Sequence, residues 1–462
     1  MLRMACECGF WLIVSFVFGI TRRFLSGSVE IVIFLGILLT RVGFHVARFP
    51  QANTVQLEEV LFCHDTPEKI CSIHICKNRR ETWKLPEWVN GRAEAENAPA
   101  VYRLARFSKN GDVLEIKAKI RTVNFSKETI YYEIRAVGSE PFGTSEIQTV
   151  TCPPGENNHT LFFKFKDAGE AFEKNGIMQY ELSLSWEYRK SDANTDVLEF
   201  VRFQLSKHRI YSILDSVNLP WGPAVAEYDV NGVPVKVYTP MTELYDKTID
   251  LVRGANTPGD AKRRIESGLY TSGHFLYNGT ASIGAGAMID PGGFEDWLND
   301  PGTEPFWVNC LDCAVLMISI ANLYGCNLKY VMQNKPFKLA GSIKLIGEHE
   351  ERLPVSEGGG EGWFSYHYVS VDGDLGLNDP TQLSCYDPCL MYHNRTNQAL
   401  RLASDVQFSA SAHPEQQTTL PQTETYLECV MEISNDGIRR YNISGGPMYF
   451  SNFRYSSIST EL

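Results

Sequence analysis

The chain has 462 residues, 44% hydrophobic and 21% charged, with a formal net charge of −12. That length exceeds one typical domain and leads us to expect two or three. The acidic balance and the lack of a basic run argue against a nucleic-acid surface, because phosphate contacts need clustered Lys and Arg. Twelve cysteines are few for a disulfide scaffold of this length, and their uneven spread fits either an oxidising or a reducing compartment.

Residues 1–50 form a hydrophobic N-terminal segment. Phe10 to Ile20 is apolar apart from Ser15 and Gly19, and Arg3, Arg22 and Arg23 flank it; a second run, Ile31 to Leu39, ends at Arg41. Each falls short of the roughly 20 residues of a membrane-spanning helix. The first is similar to the apolar core of a secretory signal. Asn-x-Ser/Thr triplets at Asn124, Asn158, Asn278, Asn394 and Asn442 point the same way and make the chain a candidate glycoprotein. The segment is therefore expected to be a signal or a membrane anchor, favouring secretion or membrane association over a cytoplasmic location.

Residues 51–99 read as an irregular linker holding Cys63, Cys71 and Cys76 beside His64 and His74. Their spacing matches no common paired zinc motif, so disulfide or incidental cysteines are expected. From residue 100 to 210 the pattern turns to period two. Leu114, Ile116, Ala118 and Ile120 alternate with polar residues after Asn110-Gly111, and Met178 to Tyr188 does likewise. Further strands read at Ile130–Val137, Leu161–Phe165 and Val197–Leu205. The expectation is an immunoglobulin-like β-sandwich. An Asn231-Gly232 hairpin follows. A helix comes next, capped by Thr239 with Pro240 in its first turn and closed by Gly254. Residues 402–462 read as a flexible linker with a C-terminal hairpin around Asn435-Asp436-Gly437.

The chemistry concentrates in residues 211–401. From Cys310 to Tyr324 nearly every residue is apolar, the mark of a buried helix. Asn309 is a natural N-cap, and Gly325 a natural stop. A thiol at a helix N-terminus sits where partial positive charge favours the reactive thiolate. Asp312 works against that charge, and its simpler role is to stabilise the first helical turn. Such a nucleophile needs a base and the base an orienting group. His367 lies within the aromatic strand Trp363 to Val371, and Asp372-Gly373-Asp374 and Leu375 to Thr381 follow. A three-residue loop pairs Val371 with Leu375 and sets Asp379 opposite His367; a two-residue loop sets Asn378 there instead. Cross-strand Cβ atoms lie roughly 4.5–5.5 Å apart, within reach of a carboxylate–imidazole contact.

These motifs, Cys310-x-Asp312-x-Ala314 opening a helix that ends in Tyr324-Gly325, His367 on a strand, and Asp379-Pro380-Thr381 on the next, resemble the transglutaminase-like superfamily of papain-type cysteine enzymes. The resemblance covers about residues 270–385. It implies an α+β fold: a papain-like/transglutaminase-like catalytic core, its central helix packed on an antiparallel sheet, behind the β-sandwich. It further implies a Cys310 nucleophile, His367 as general base and then acid, Asp379 as orienter, a protein or peptide substrate, and no cofactor or metal. The Gln-Cys-Trp signature of calcium-dependent crosslinking members is absent and no acidic calcium loop is seen, which moves the expectation from crosslinking to amide or peptide-bond hydrolysis. Two other classes stay open. One is a structural zinc module on Cys310, Cys313, Cys385 and Cys389 with His393; the other is a non-catalytic binding protein. Cys313, the rival nucleophile, is assigned to packing.

Overall fold

The computed structural model describes residues 54–403 apart from several stretches, among them 63–72, 106–112, 192–198, 279–304, 348–354 and 373–383. The N-terminal segment, Cys63, His64, Cys71 and His74 of the linker, Asn110-Gly111, the C-terminal hairpin, Asn378 and Asp379 lie outside the described residues. The architecture is mixed α+β and rich in sheet. Among the described residues no helix is long and apolar enough to cross a membrane.

The first half is a two-sheet sandwich. One sheet runs β2-β1-β4-β7, built from β1 (Thr54–Leu61), β2 (Trp88–Val89), β4 (Leu114–Asn124) and β7 (Gly155–Phe165). The other runs β3-β9-β8-β5-β6, from β3 (Ala100–Arg103), β5 (Ile130–Gly138), β6 (Gln148–Cys152), β8 (Gln179–Lys190) and β9 (Val201–Ile213). The pairings are antiparallel except that of β3 with β9. Strict alternation along β4 puts Leu114, Ile116, Ala118 and Ile120 in the core. Phe163 of one sheet meets Trp186 of the other edge to face, centroids 5.1 Å apart. Helix α1 (Lys166–Asn175) covers one end through Ala168 and Phe172.

Part of the expected linker belongs to this sandwich. β1 pairs with β4 along its length, but the register shifts between Leu57 and Glu59. A bulge of this kind adds one residue to the strand and breaks period two, which is why Thr54–Leu61 reads as irregular. β9 runs through the expected boundary between residues 210 and 211.

Beyond it, β10 (Ala226–Val230) and β11 (Val233–Val237) pair with Val230 opposite Val233, the hairpin expected at Asn231-Gly232. Helix α2 (Thr242–Val252) starts later than the Thr239-Pro240 signal suggests: Met241 is the N-cap and its side chain makes no cap. Residues 240–242 are held instead against Cys76, whose N–H donates to Pro240 O and whose carbonyl accepts from Thr242 N. That tertiary pairing keeps Pro240 out of the helix. Helix α3 (Pro258–Thr271) has Thr257 as a true cap and packs on α2, where Gly268 lets Leu251 approach.

The core of the second half is helix α4 (Cys310–Leu323), in which only Leu311 and Val315 of fourteen residues escape full burial. Two short parallel strands, β12 (Phe275–Tyr277) and β13 (Phe306–Val308), feed it. Against it lies the sheet β14-β20-β21, made of β14 (Leu328–Gln333), β20 (His367–Asp372) and β21 (Cys385–Tyr386). Ser370 Oγ of β20 donates to Ala314 O of α4. The remaining strands are short: β15 (Phe337–Lys338) with β19 (Trp363–Phe364), β17 (Val355–Ser356) with β18 (Gly360–Glu361), and β16 (Ile343–Leu345) with β22 (Leu390–His393) and β23 (Leu400–Arg401).

Candidate active site

Cys310 occupies the first position of α4 because Asn309 and Asp312 fix the helix start. Asn309 Oδ1 accepts from the N–H groups of Leu311 and Asp312, at 2.9 and 3.0 Å, and Asp312 Oδ2 accepts from Asn309 N at 3.0 Å. This is a reciprocal capping box. Together these bonds use three of the four orphan amides of the first turn and leave that of Cys310 to other acceptors. The role expected for Asn309, and helix stabilisation as the role of Asp312, both hold.

The structure brings Cys310 and His367 together, near enough for the sulfur to act on the protonation of the imidazole. The ring's Nε2 donates to Asp387 Oδ2 at 2.8 Å. All three are buried, at 3%, 2% and 1% exposure. The second oxygen of Asp387 accepts from Cys389 N at 3.0 Å, which locks the carboxylate rotamer. Burial, the largest influence on His367, would lower its pKa. The Asp387 charge and hydrogen bond, with the Cys310 sulfur, overcome burial and raise it to about 10. The ring is therefore an imidazolium at neutral pH, held by a carboxylate and close to a sulfur.

The carboxylate at His367 is thus Asp387. Asp379 lies outside the described residues. Val371 pairs with Lys329 on one side and Cys385 on the other, not with Leu375, the register from which Asp379 was placed opposite His367. A signal for the true partner is present in the sequence, since Asp387-Pro388 repeats the Asp-Pro step of Asp379-Pro380.

Two further groups were not read from sequence. Tyr277, at the end of β12, is partly buried; loss of solvent, and then the neighbouring Cys389, Cys310 and Cys313, push its pKa far up and keep it neutral. Glu266 of α3 is fully buried, and its Oε1 accepts from Asp387 N at 2.8 Å. The other thiols differ from Cys310 in setting. Cys313 and Cys389 lie close enough to influence each other, and burial raises the pKa of both, as it does that of Cys385. Protonated, buried thiols pack; they do not attack. Among the described residues no group of three His, Cys, Asp or Glu side chains is placed to hold a metal ion, so the zinc module gains no geometry here.

No protein-family model matches the chain, and no curated protein matches it. Among solved structures it is similar to a transglutaminase of red sea bream, at 9% identity and a TM-score of 0.32, over 63% of this chain and 50% of that one. It is also similar to the class 5 fimbriae chaperone CfaA, at 17% identity and a TM-score of 0.13, over 24% of this chain and 53% of that one. The chain spans about half the length of each. Both likenesses are remote, and neither assigns the chain to a family.

Proposed function

We propose that this chain is a cysteine-dependent amide or peptide-bond hydrolase or acyltransferase with a transglutaminase-like core, acting through a thioester on Cys310. One observation carries the reading: the buried His367 ring, held through Nε2 by the Asp387 carboxylate, lies close to the sulfur at the head of α4. A histidine beside a thiol, oriented by a carboxylate, is the setting of an activated cysteine nucleophile. The sulfur attacks the substrate carbonyl carbon and forms a tetrahedral intermediate. The Cys310 backbone N–H, at the positive end of α4, is one donor for its oxyanion. His367 then gives its proton to the leaving amine as the C–N bond breaks, and the thioester remains. Neutral His367 next takes a proton from water, or from an acceptor amine, as that oxygen or nitrogen attacks. The intermediate collapses, the C–S bond breaks and the thiolate is restored. Asp387 keeps Nε2 occupied throughout, which holds the ring in place and makes Nδ1 the nitrogen that carries these proton transfers.

The test is iodoacetamide labelling at pH 6 with each cysteine mapped by mass spectrometry. Selective modification of Cys310, lost in His367→Ala, supports the reading. Uniform labelling of the cysteines, or an unchanged Cys310 rate in His367→Ala, overturns it.

A further inference from the structure

Helix α3 presents two buried charged side chains one turn apart, Lys262 and Glu266. Lys262 pairs with Asp372, the last residue of the strand that carries His367, and lies over the Tyr386 ring with its nitrogen 5.1 Å from the centroid. Glu266 accepts the backbone N–H of Asp387 at 2.8 Å. One face of one helix therefore grips both the strand of the base and the segment of its carboxylate. Burying a carboxylate completely is costly unless its oxygens are hydrogen-bonded, and this one is spent on a main-chain amide of the site. Asp387 is thus held at its main chain as well as at its carboxylate, which His367 Nε2 and Cys389 N engage. It lies just past the end of the two-residue strand β21, and Pro388 after it has no N–H to offer.

We propose that Glu266 is a positioning residue: its carboxylate oxygen fixes the Asp387 main chain and, through it, the His367 imidazolium against Cys310. The proposal rests on the Cys310–His367–Asp387 reading. Removing the acceptor leaves a buried N–H unsatisfied, and the segment shifts to find another partner. Asp387 Oδ2 then moves off Nε2, the ring loses the neighbour that raises its pKa, and the thiol loses its charged partner.

The test compares Glu266→Gln with Glu266→Met in the full chain. Gln keeps an oxygen that accepts the amide but removes the charge; Met matches the length and accepts nothing. Two readouts are taken: the pH dependence of Cys310 alkylation by iodoacetamide, and the His367 titration midpoint by NMR of the ring. In Glu266→Met we expect the Cys310 rate at pH 6 to fall about tenfold and the His367 midpoint to drop, while Glu266→Gln stays close to wild type in both. Wild-type behaviour in Glu266→Met overturns the proposal, as does an equal loss in both variants, which would assign the effect to charge. Should Glu266→Met not fold, Glu266→Asp decides, because it keeps the charge and withdraws the oxygen by one carbon. A fallen rate supports the positioning role, and a wild-type rate overturns it. Failure of the underlying reading looks different, because Cys310 of the wild-type chain would then show no selective alkylation.

Discussion

Asn309 and Asp312 hold each other across the first turn of α4, each side chain accepting the other's backbone N–H at 3.0 Å. Cys310, the nucleophile we propose, lies between them in the chain. Asn309→Ala is expected to cost about 1 kcal/mol of stability, the usual loss of an N-cap. Asp312→Ala should cost a similar amount, and the double variant less than the sum, because the two bonds belong to one motif. Urea unfolding measures all three. A strictly additive double variant would mean that the box does not act as a unit.

His367 makes stability depend on pH from the alkaline side. Its folded pKa, about 10, stands above the ordinary value near 6.5. The native state therefore keeps a proton that the unfolded chain releases. The contribution is complete below about pH 6.5, declines between there and about pH 10, and is absent above. Asp387→Asn removes the charge that raises this pKa, so its stability is expected to change less over pH 7–10. Melting temperatures across that range, wild type against variant, check it; parallel curves would refute it.

His208 acts from the acid side. It is buried in the sandwich, its Nε2 2.7 Å from Ser206 Oγ, and burial lowers its pKa to about 3. The unfolded chain takes up a proton below about pH 6.5 that the native state refuses until about pH 3, so stability is lost as pH falls through that window. His208→Gln, which cannot titrate, should flatten the acid limb of the same melting curves. A limb of unchanged slope would assign it to other groups.

Gly325 ends α4 with φ of 86°, and a Cβ there would sit 2.3 Å from Asp215 N and 2.6 Å from its O. The contact is with backbone, which cannot rotate away. Gly325→Ala is expected to destabilise by more than about 2 kcal/mol, the sum of a left-handed conformation and a displaced neighbour. A loss below about 1 kcal/mol, the scale of the backbone effect alone, would show that residue 215 yields easily.

Short-range features were legible in the sequence. The cap at Asn309, the all-round burial of α4, its stop at Gly325 and the alternation of β4 and β8 each depend on neighbours within a few residues. What was hidden depends on distance along the chain. The Asp387 carboxylate reaches His367 from 20 residues away, where a tight hairpin seemed the simpler route. The bulge in β1 disguised a strand as a linker, and the Cys76 pairing held Pro240 out of a helix whose start its sequence signals. Glu266 carried no signal at all, since a glutamate on an amphipathic helix ordinarily faces water.

The end of α4 is tied to the chain that leaves the sandwich. Leu214 N donates to Tyr324 O, Asn218 N to Asn322 O, Trp221 Nε1 to Ser319 O, and Asn322 Nδ2 to Leu219 O, all within 3.0 Å. A protease cut or a cloning boundary at residue 210 would fall inside β9 and would break the strand whose end leads into these bonds, taking its β8 partner away. Shortened versions of the protein that begin there are expected to be insoluble, and the two halves should melt in a single calorimetric peak. Anyone seeking the Cys310 region in isolation should keep the sandwich attached.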